Sequence, residues 1–149
     1  SRHRYVPNNR LVMAKITQRT KTLNTLQKLV RLKAADDSGY CTCVTCGVTK
    51  KWNDGMQGGH FIAKGKGGTN QWALEPENVH PQCAGCNGFK MAYGNAESTY
   101  TLYMIDMYGR DKVEQMLHEN KVVKLSRADL EDMEAEWKIE INEHLKRIG

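Results

Sequence analysis

Two C-x-x-C pairs limit how this chain can fold more than any other feature of its sequence. Cys43 and Cys46 form the first pair, Cys83 and Cys86 form the second, and 36 residues lie between the pairs. The chain has five cysteines, an odd number, whereas a secreted disulfide framework usually has an even one. Two such pairs in a reducing compartment are typical of a metal site, so we expect the four thiolates to bind a structural zinc ion.

A site of four thiolates is closed and leaves no open position for water, so the zinc is not expected to be catalytic. Its role would be to clamp the two ends of the segment between the pairs. That segment is rich in glycine and poor in apolar area, and a bound metal would supply folding free energy that it lacks. Cys41 could compete as a ligand, but the fourfold pairing favours a spare thiol.

Length and patterning predict an α+β chain. At 149 residues it forms one domain, or one small domain with a helical appendage. We divide it into a basic arm and helix (1–39), a zinc-clamped core (40–95) and a helical C-terminal region (96–149). Neither a transmembrane segment nor a signal peptide is evident, so no membrane partner and a cytoplasmic location are expected.

Hydrophobic spacing predicts helices and short strands within these regions. Ile16, Leu23, Leu26, Leu29 and Val30 share one stripe of a helix over 11–35. Strands are expected at 60–62 and 72–74, an extended piece at 78–80, and further helices at 97–108, 111–119 and 127–147. The last helix starts at Ser126, with Asp129 three residues on. Its apolar stripe indicates core packing or, alternatively, a dimer contact.

Positive charge is concentrated at the start of the chain. Residues 1–35 contain nine Lys and Arg and no Asp or Glu, whereas the whole chain carries only +5. Such a stretch is a candidate phosphate-binding surface, and a solvated helix face is the alternative.

Four polar residues in or just after the clamped segment are candidates for proton transfer and metal binding. His60, Asn78 and His80 precede the second cysteine pair, and Asn87 directly follows it. A neutral imidazole can take a proton from water near pH 7, and a carboxamide oxygen is a hard, neutral metal ligand. Each residue alone has an ordinary structural explanation, but the ordered set is more specific.

The motifs CVTCG (43–47), GHF (59–61), ENVHPQCAGCN (77–87) and GN (94–95) resemble the NinG/Rap family of lambda-like phage recombination nucleases. Their spacing is also similar to that of HNH, or ββα-metal, nucleases with an embedded four-cysteine zinc site. The resemblance implies a small ββα-metal core. It also implies that His60 is the general base, that Asn78 holds the loop and orients that base, and that Asn87 binds catalytic Mg²⁺ or Mn²⁺.

One position departs from the common HNH pattern. Many such enzymes have an acid or histidine before the base, and Gly59 has no side chain to offer, although the NinG-like pattern also has glycine there. The second metal ligand is therefore open. His80 is a candidate, because it lies two residues from Asn78 on an extended segment and would share its face. The alternatives are that His80 is the base and His60 the ligand, or that His80 only braces the hairpin.

The resemblance implies metal-dependent cleavage of branched DNA, such as Holliday junctions and D-loops, in a phage-infected host. The alternatives are a zinc-stabilised DNA-binding module without catalysis and a sequence-specific HNH nuclease. A homodimer and recombination proteins of phage or host are further expected partners. Basic residues are expected to contact phosphates at Lys64, Lys66, Lys90, Arg10, Lys15, Arg19, Lys28 and Arg31. Aromatic rings could stack on unpaired bases at Trp52, Trp72 and Tyr93, with core packing favoured for the tryptophans.

Overall fold

The structure, a computed structural model, describes residues 16–149. Its helices and strands follow one another in the order α1 (Gln18–Ala34), β1 (Tyr40–Thr42), β2 (Thr49–Lys51), β3 (Met56–His60), β4 (Val79–Cys83), α2 (Met91–Tyr93), α3 (Ala96–Tyr108), α4 (Arg110–His118) and α5 (Arg127–Ile148). A wider helical turn, Cys86–Lys90, leads directly into α2. The fold is mixed α+β, as predicted. Among the described residues, no helix combines the length and the apolar character needed to span a bilayer.

Helix α1 starts at Gln18, since the hydroxyl of Thr17 caps it by accepting a hydrogen bond from the Thr20 N–H. Most of the predicted stripe is buried on this helix. Ile16 is an exception, because it precedes the cap and is 51% exposed. The part of the predicted helix before residue 16 lies outside the described residues.

Strands β1 and β2 form the first cysteine knuckle. They pair antiparallel, with Tyr40 opposite Lys51. The turn between them is closed by hydrogen bonds from the Cys43 N–H to the Val48 carbonyl (2.8 Å) and from the Gly47 N–H to the Cys43 carbonyl (3.0 Å). Gly47 has φ +82°, a conformation that favours glycine, so the glycine after the C-x-x-C pair is required by the turn.

Strands β3 and β4 form a second antiparallel hairpin, in which Met56 is opposite Cys83 and His60 is opposite Val79. The predicted strand over 60–62 is wrong beyond His60, where β3 ends, and the predicted strand over 72–74 is a turn. At both places the Asn78 side chain binds the backbone, that of Ile62 in one segment and that of Trp72 in the other.

Helix α1 packs on one face of this hairpin. A Cβ atom at Gly58 would lie 2.8 Å from the Cα atom of Gln27, so the absence of a side chain at Gly58 permits the close approach. Helix α5 covers another side of α1, where Leu130, Trp137 and Ile141 join the cluster that contains Leu26. The basic helix is therefore a central packing element of the fold.

The C-terminal helices lie within a residue or two of their predicted bounds. Ser126 caps α5 by accepting a hydrogen bond from the Asp129 N–H, as predicted. The apolar stripe of α5 serves mainly the core of its own chain, although Leu145 is 37% exposed. Helices α3 and α4 enclose Phe61 and Trp72 in a separate apolar cluster. The division into three regions stays a prediction.

Candidate functional site

The four paired cysteines meet at one point. The Sγ atoms of Cys43, Cys46, Cys83 and Cys86 all lie within 4.8 Å of one another, and those of Cys46 and Cys83 are 3.8 Å apart. Zinc–sulfur bonds of about 2.3 Å in a tetrahedron put neighbouring sulfurs about 3.8 Å apart. The cluster could therefore hold a zinc ion, and the predicted ligand set is brought together.

The chemistry of these donors also fits a cation. Burial raises the pKa of the Cys43 thiol, but hydrogen bonds from Thr45 and from backbone N–H groups outweigh it and bring the pKa down to about 6. Burial, together with hydrogen bonds to the other sulfurs, raises the pKa of Cys86 to about 12. Four thiolates this close repel one another without a positive charge between them. Cys41 is buried outside the cluster, as a spare thiol would be.

His60 ends strand β3 with its Nε2 atom 2.8 Å from the carbonyl oxygen of Ala73. A carbonyl only accepts, so Nε2 carries the proton and donates, and in the neutral ring Nδ1 keeps the lone pair. Burial, despite the Ala73 carbonyl, lowers the pKa of His60 to about 4, and the nearby Lys64 ammonium adds to the lowering. His60 is therefore a neutral imidazole at pH 7 with a defined tautomer.

Asn78 is fully buried and holds the connection between β3 and β4. Its Oδ1 accepts from the Ile62 N–H (2.7 Å), and its Nδ2 donates to the carbonyls of Ile62 (2.9 Å) and Trp72 (3.0 Å). Trp72 is next to Ala73, whose carbonyl fixes His60. The Asn78 side chain therefore ties Ile62 to Trp72, one residue before the carbonyl bound by His60. That Asn78 orients His60 as a base stays a prediction.

His80 is buried among tyrosines. Its Nδ1 lies 3.1 Å from the Tyr100 hydroxyl and its Nε2 lies 2.8 Å from the Tyr108 hydroxyl. Both ring nitrogens are thus engaged, and burial, with the Lys33 charge adding to it, lowers the pKa of His80 to about 4. Neither ring nitrogen of His80 is hydrogen-bonded to Asn87. These contacts fit the alternative in which His80 braces the hairpin. His80 also lines a groove of about 920 Å³, whose lining residues do not include Asn87.

Asn87 lies in the helical turn after Cys86, beside the hairpin. Its Nδ2 donates to Oε1 of Gln57 (2.8 Å). A Cβ atom at Gly59 would collide with Oε1 of Gln82 and lie 2.9 Å from Oδ1 of Asn87. Two amide oxygens therefore converge over Gly59. No motif in the sequence marks Gln57 or Gln82, and the one signal is the alternation that puts Gln82 on the same face as His80.

The predicted phosphate contacts divide into two groups. Lys64 and Lys66, in the loop after His60, are exposed, as is Lys90, one turn after Asn87. The predicted contacts that lie on α1 are half-buried and pack against their own chain. Arg19 donates to the Gly68 carbonyl (2.8 Å), Arg31 donates to the Trp52 carbonyl (3.1 Å), and Lys28 lies over the Trp52 ring at 5.8 Å. Arg10 and Lys15 lie outside the described residues.

The aromatic residues considered for base stacking differ in their exposure. Trp72 is buried, and its Nε1 donates to the Glu119 carbonyl, which confirms the core interpretation for this residue. Tyr93 is 79% exposed and pairs with Phe89, which is 71% exposed, at a ring-centroid distance of 5.2 Å. Phe89 was missed from the sequence, because its exposure depends on how this helical segment projects from the fold.

The family model described as Bacteriophage Lambda NinG protein matches residues 7–147. No curated protein and no solved structure matches the chain significantly. The match covers nearly the whole chain, including both cysteine pairs and the hairpin between them. The chain therefore belongs to the NinG family of bacteriophage proteins.

Proposed function

We propose that this protein is a metal-dependent endonuclease that cleaves branched DNA, such as Holliday junctions and D-loops, during phage recombination. The observation that carries the proposal is the environment of His60. It is a half-buried imidazole, neutral at pH 7, whose Nε2 is tied to a carbonyl and whose Nδ1 is left as the basic atom. A ring held in one tautomer with its second nitrogen left basic is the arrangement that a general base requires.

His60 would act as the general base. Its Nδ1 would take a proton from the attacking water, and the Ala73 carbonyl would stabilise the imidazolium that forms. The pKa of about 4 keeps the ring ready to accept a proton but makes it a weak base. A bound DNA phosphate would raise that pKa, since a nearby anion favours the charged ring.

Asn87 would hold the catalytic cation through Oδ1, because its Nδ2 is already committed to Gln57. When bound, Mg²⁺ or Mn²⁺ would neutralise the phosphate and stabilise the leaving oxygen. The peptide bond between Cys86 and Asn87 ties this ligand to the cysteine cluster. A zinc ion there would therefore fix the position of Asn87 relative to the hairpin that carries His60.

Binding to DNA is proposed to use the exposed lysines beside the site, Lys64, Lys66 and Lys90. Each phosphate that they neutralise would steepen the salt dependence of binding. The exposed rings of Phe89 and Tyr93, close in sequence to Asn87, offer a surface on which unpaired bases could stack. Unpaired bases occur at branch points, so this pair favours recognition of DNA shape over sequence.

The test uses purified zinc-loaded protein with a labelled four-way junction and a matched linear duplex, in Mg²⁺, Mn²⁺ or EDTA. We expect metal-dependent cutting that prefers the junction. His60→Ala should abolish cutting and retain junction binding, whereas His118→Ala, at an exposed histidine on α4, should cut normally. Cutting that survives in His60→Ala would refute the base assignment. Junction binding without cutting in any metal would instead support the DNA-binding module.

The proposed setting is the cytoplasm of the infected bacterium, with other recombination proteins of phage or host as partners. A homodimer would suit the cleavage of two symmetry-related strands of a junction. Light scattering of the protein with bound junction tests this, since a mass of one chain per junction would exclude the dimer.

A further inference from the structure

The side-chain oxygen of Gln82 is buried and no hydrogen bond within the described part of the fold uses it. Gln82 is 0% exposed, and among residues 16–149 its Oε1 is a buried side-chain oxygen without a hydrogen-bond donor. Burying an acceptor without a partner costs free energy, so such an atom in a folded protein calls for a ligand.

The amide of Gln82 is oriented by the cysteine knuckle. Its Nε2 lies 3.5 Å from the Thr45 hydroxyl, which in turn is 3.2 Å from Sγ of Cys43. When Thr45 donates its single proton to the Cys43 sulfur, its oxygen can only accept, so it faces the NH₂ group of Gln82. The carbonyl oxygen of Gln82 therefore points the other way, over Gly59.

A second amide oxygen reaches the same place. Nδ2 of Asn87 donates to Gln57, which leaves Oδ1 of Asn87 turned towards Gly59. Both oxygens lie within 2.9 Å of a single point, the position that a Cβ atom at residue 59 would occupy. Two partially negative oxygens facing one another repel, and a cation between them would remove the repulsion.

We infer that Gln82 is the second protein ligand of the divalent cation held by Asn87, and that Gly59 is required because any side chain there would displace the Gln82 oxygen. The inference rests on the proposed function, which assigns the cation to Asn87. In the paired strands, residues 57, 59, 80 and 82 share one face, so Gln82 reaches from β4 the space that an acid at residue 59 would reach from β3.

The inferred site offers a cation two neutral amide oxygens and no carboxylate. Oxygen donors suit Mg²⁺ and Mn²⁺, and cation affinity rises with the number of charged ligands. A site with no carboxylate is expected to bind these ions weakly in the free protein and to gain affinity from a DNA phosphate. This links cation binding to the presence of substrate.

The test follows Mn²⁺ by NMR in ¹⁵N-labelled protein whose cysteine cluster is loaded with zinc. Mn²⁺ broadens signals of nearby nuclei, so a millimolar titration should selectively broaden the Gly59 backbone amide and the side-chain amides of Gln82 and Asn87. Gln82→Leu should weaken the broadening at Gly59 at least tenfold and retain its zinc and its fold, since the oxygen that it removes has no partner and the lost contact from Nε2 to Thr45 is long, at 3.5 Å. Gln82→Glu should bind Mn²⁺ more tightly than the wild type.

Two further variants separate ligation from other effects. Gln57→Glu adds the same charge on the paired strand and still accepts from Asn87, so it should tighten Mn²⁺ binding less than Gln82→Glu does. Gly59→Ala should abolish the broadening with Gln82 chemically intact. The inference is overturned if wild-type protein shows no selective broadening, or if Gln82→Leu or Gly59→Ala binds Mn²⁺ like the wild type.

Junction cutting by the same samples distinguishes this inference from the proposed function. Wild-type protein that binds Mn²⁺ at Gly59 but cuts no DNA would retain the cation site and refute the nuclease. Wild-type protein that cuts, together with a Gln82→Leu variant that binds Mn²⁺ and cuts equally well, would retain the nuclease and refute the role of Gln82.

Discussion

Replacing Asn78 should strongly destabilise the protein. Its side chain makes three hydrogen bonds inside the fold, one accepted from Ile62 and two donated to Ile62 and Trp72. Asn78→Ala leaves the Ile62 N–H and two carbonyls without these partners. It also leaves a small cavity where the amide was, in a position that is 0% exposed.

The expected loss of stability follows from the three lost hydrogen bonds and the cavity. A buried group left without a partner costs about 1–3 kcal/mol, with a carbonyl at the low end because it has a second lone pair. Adding the cavity, we expect Asn78→Ala to lower the free energy of unfolding by about 3–5 kcal/mol. For a chain of this size that corresponds to a fall in Tm of roughly 6–20 °C.

Urea unfolding of zinc-loaded protein measures this difference. Asn53→Ala is the matched control, since Asn53 is exposed and should change stability by less than about 0.5 kcal/mol. Asn78→Asp should remain clearly destabilised, because its carboxylate places a negative oxygen against two carbonyls. A cost below about 1 kcal/mol for Asn78→Ala would refute the hydrogen-bond accounting.

Three further predictions concern the metal cluster, the histidines and the packing of α1. Cys43→Ser should lose bound zinc and much of its thermal stability, and full zinc retention by elemental analysis would contradict the clamp. The pKa values of His60 and His80 are about 4 in the fold against 6.5 when unconstrained, so the unfolded chain binds more protons. Stability should fall as pH drops from about 6.5 to 4, by up to about 3 kcal/mol per histidine, and less steeply in His60→Gln. Gly58→Ala should cost about 2 kcal/mol in urea unfolding, because its Cβ would meet the α1 backbone, whereas Gly88→Ala has open space and should be neutral.

Local signals explain which parts of the fold could be predicted. The bounds of the C-terminal helices can be predicted closely, because their 3.6-residue periodicity and the cap at Ser126 lie within the segments themselves. The knuckle turn was predicted for a similar reason, because Gly47 after a C-x-x-C pair supplies the left-handed conformation that the turn needs. These features depend on neighbours in sequence.

The strands were harder to predict. The apolar run at 72–74 resembles a strand, but the side chain of Asn78 takes the Trp72 carbonyl and holds the segment as a turn. The packing role of α1 was also hard to predict from the sequence. Its charge suggested an exposed surface, whereas its position between the hairpin and α5 half-buries Arg19 and Arg31 and uses them as donors to backbone carbonyls of the same chain.

By itself the sequence determined the members of the cysteine cluster and the order of His60, Asn78 and Asn87, because spacing along a chain is enough to pair motifs. Only the tertiary structure decided that His80 is enclosed by tyrosines and that the oxygens of Gln82 and Asn87 converge over Gly59. The physical reason is that a buried atom's partners come from distant segments. Their directions depend on strand register and amide orientation, which no local pattern encodes.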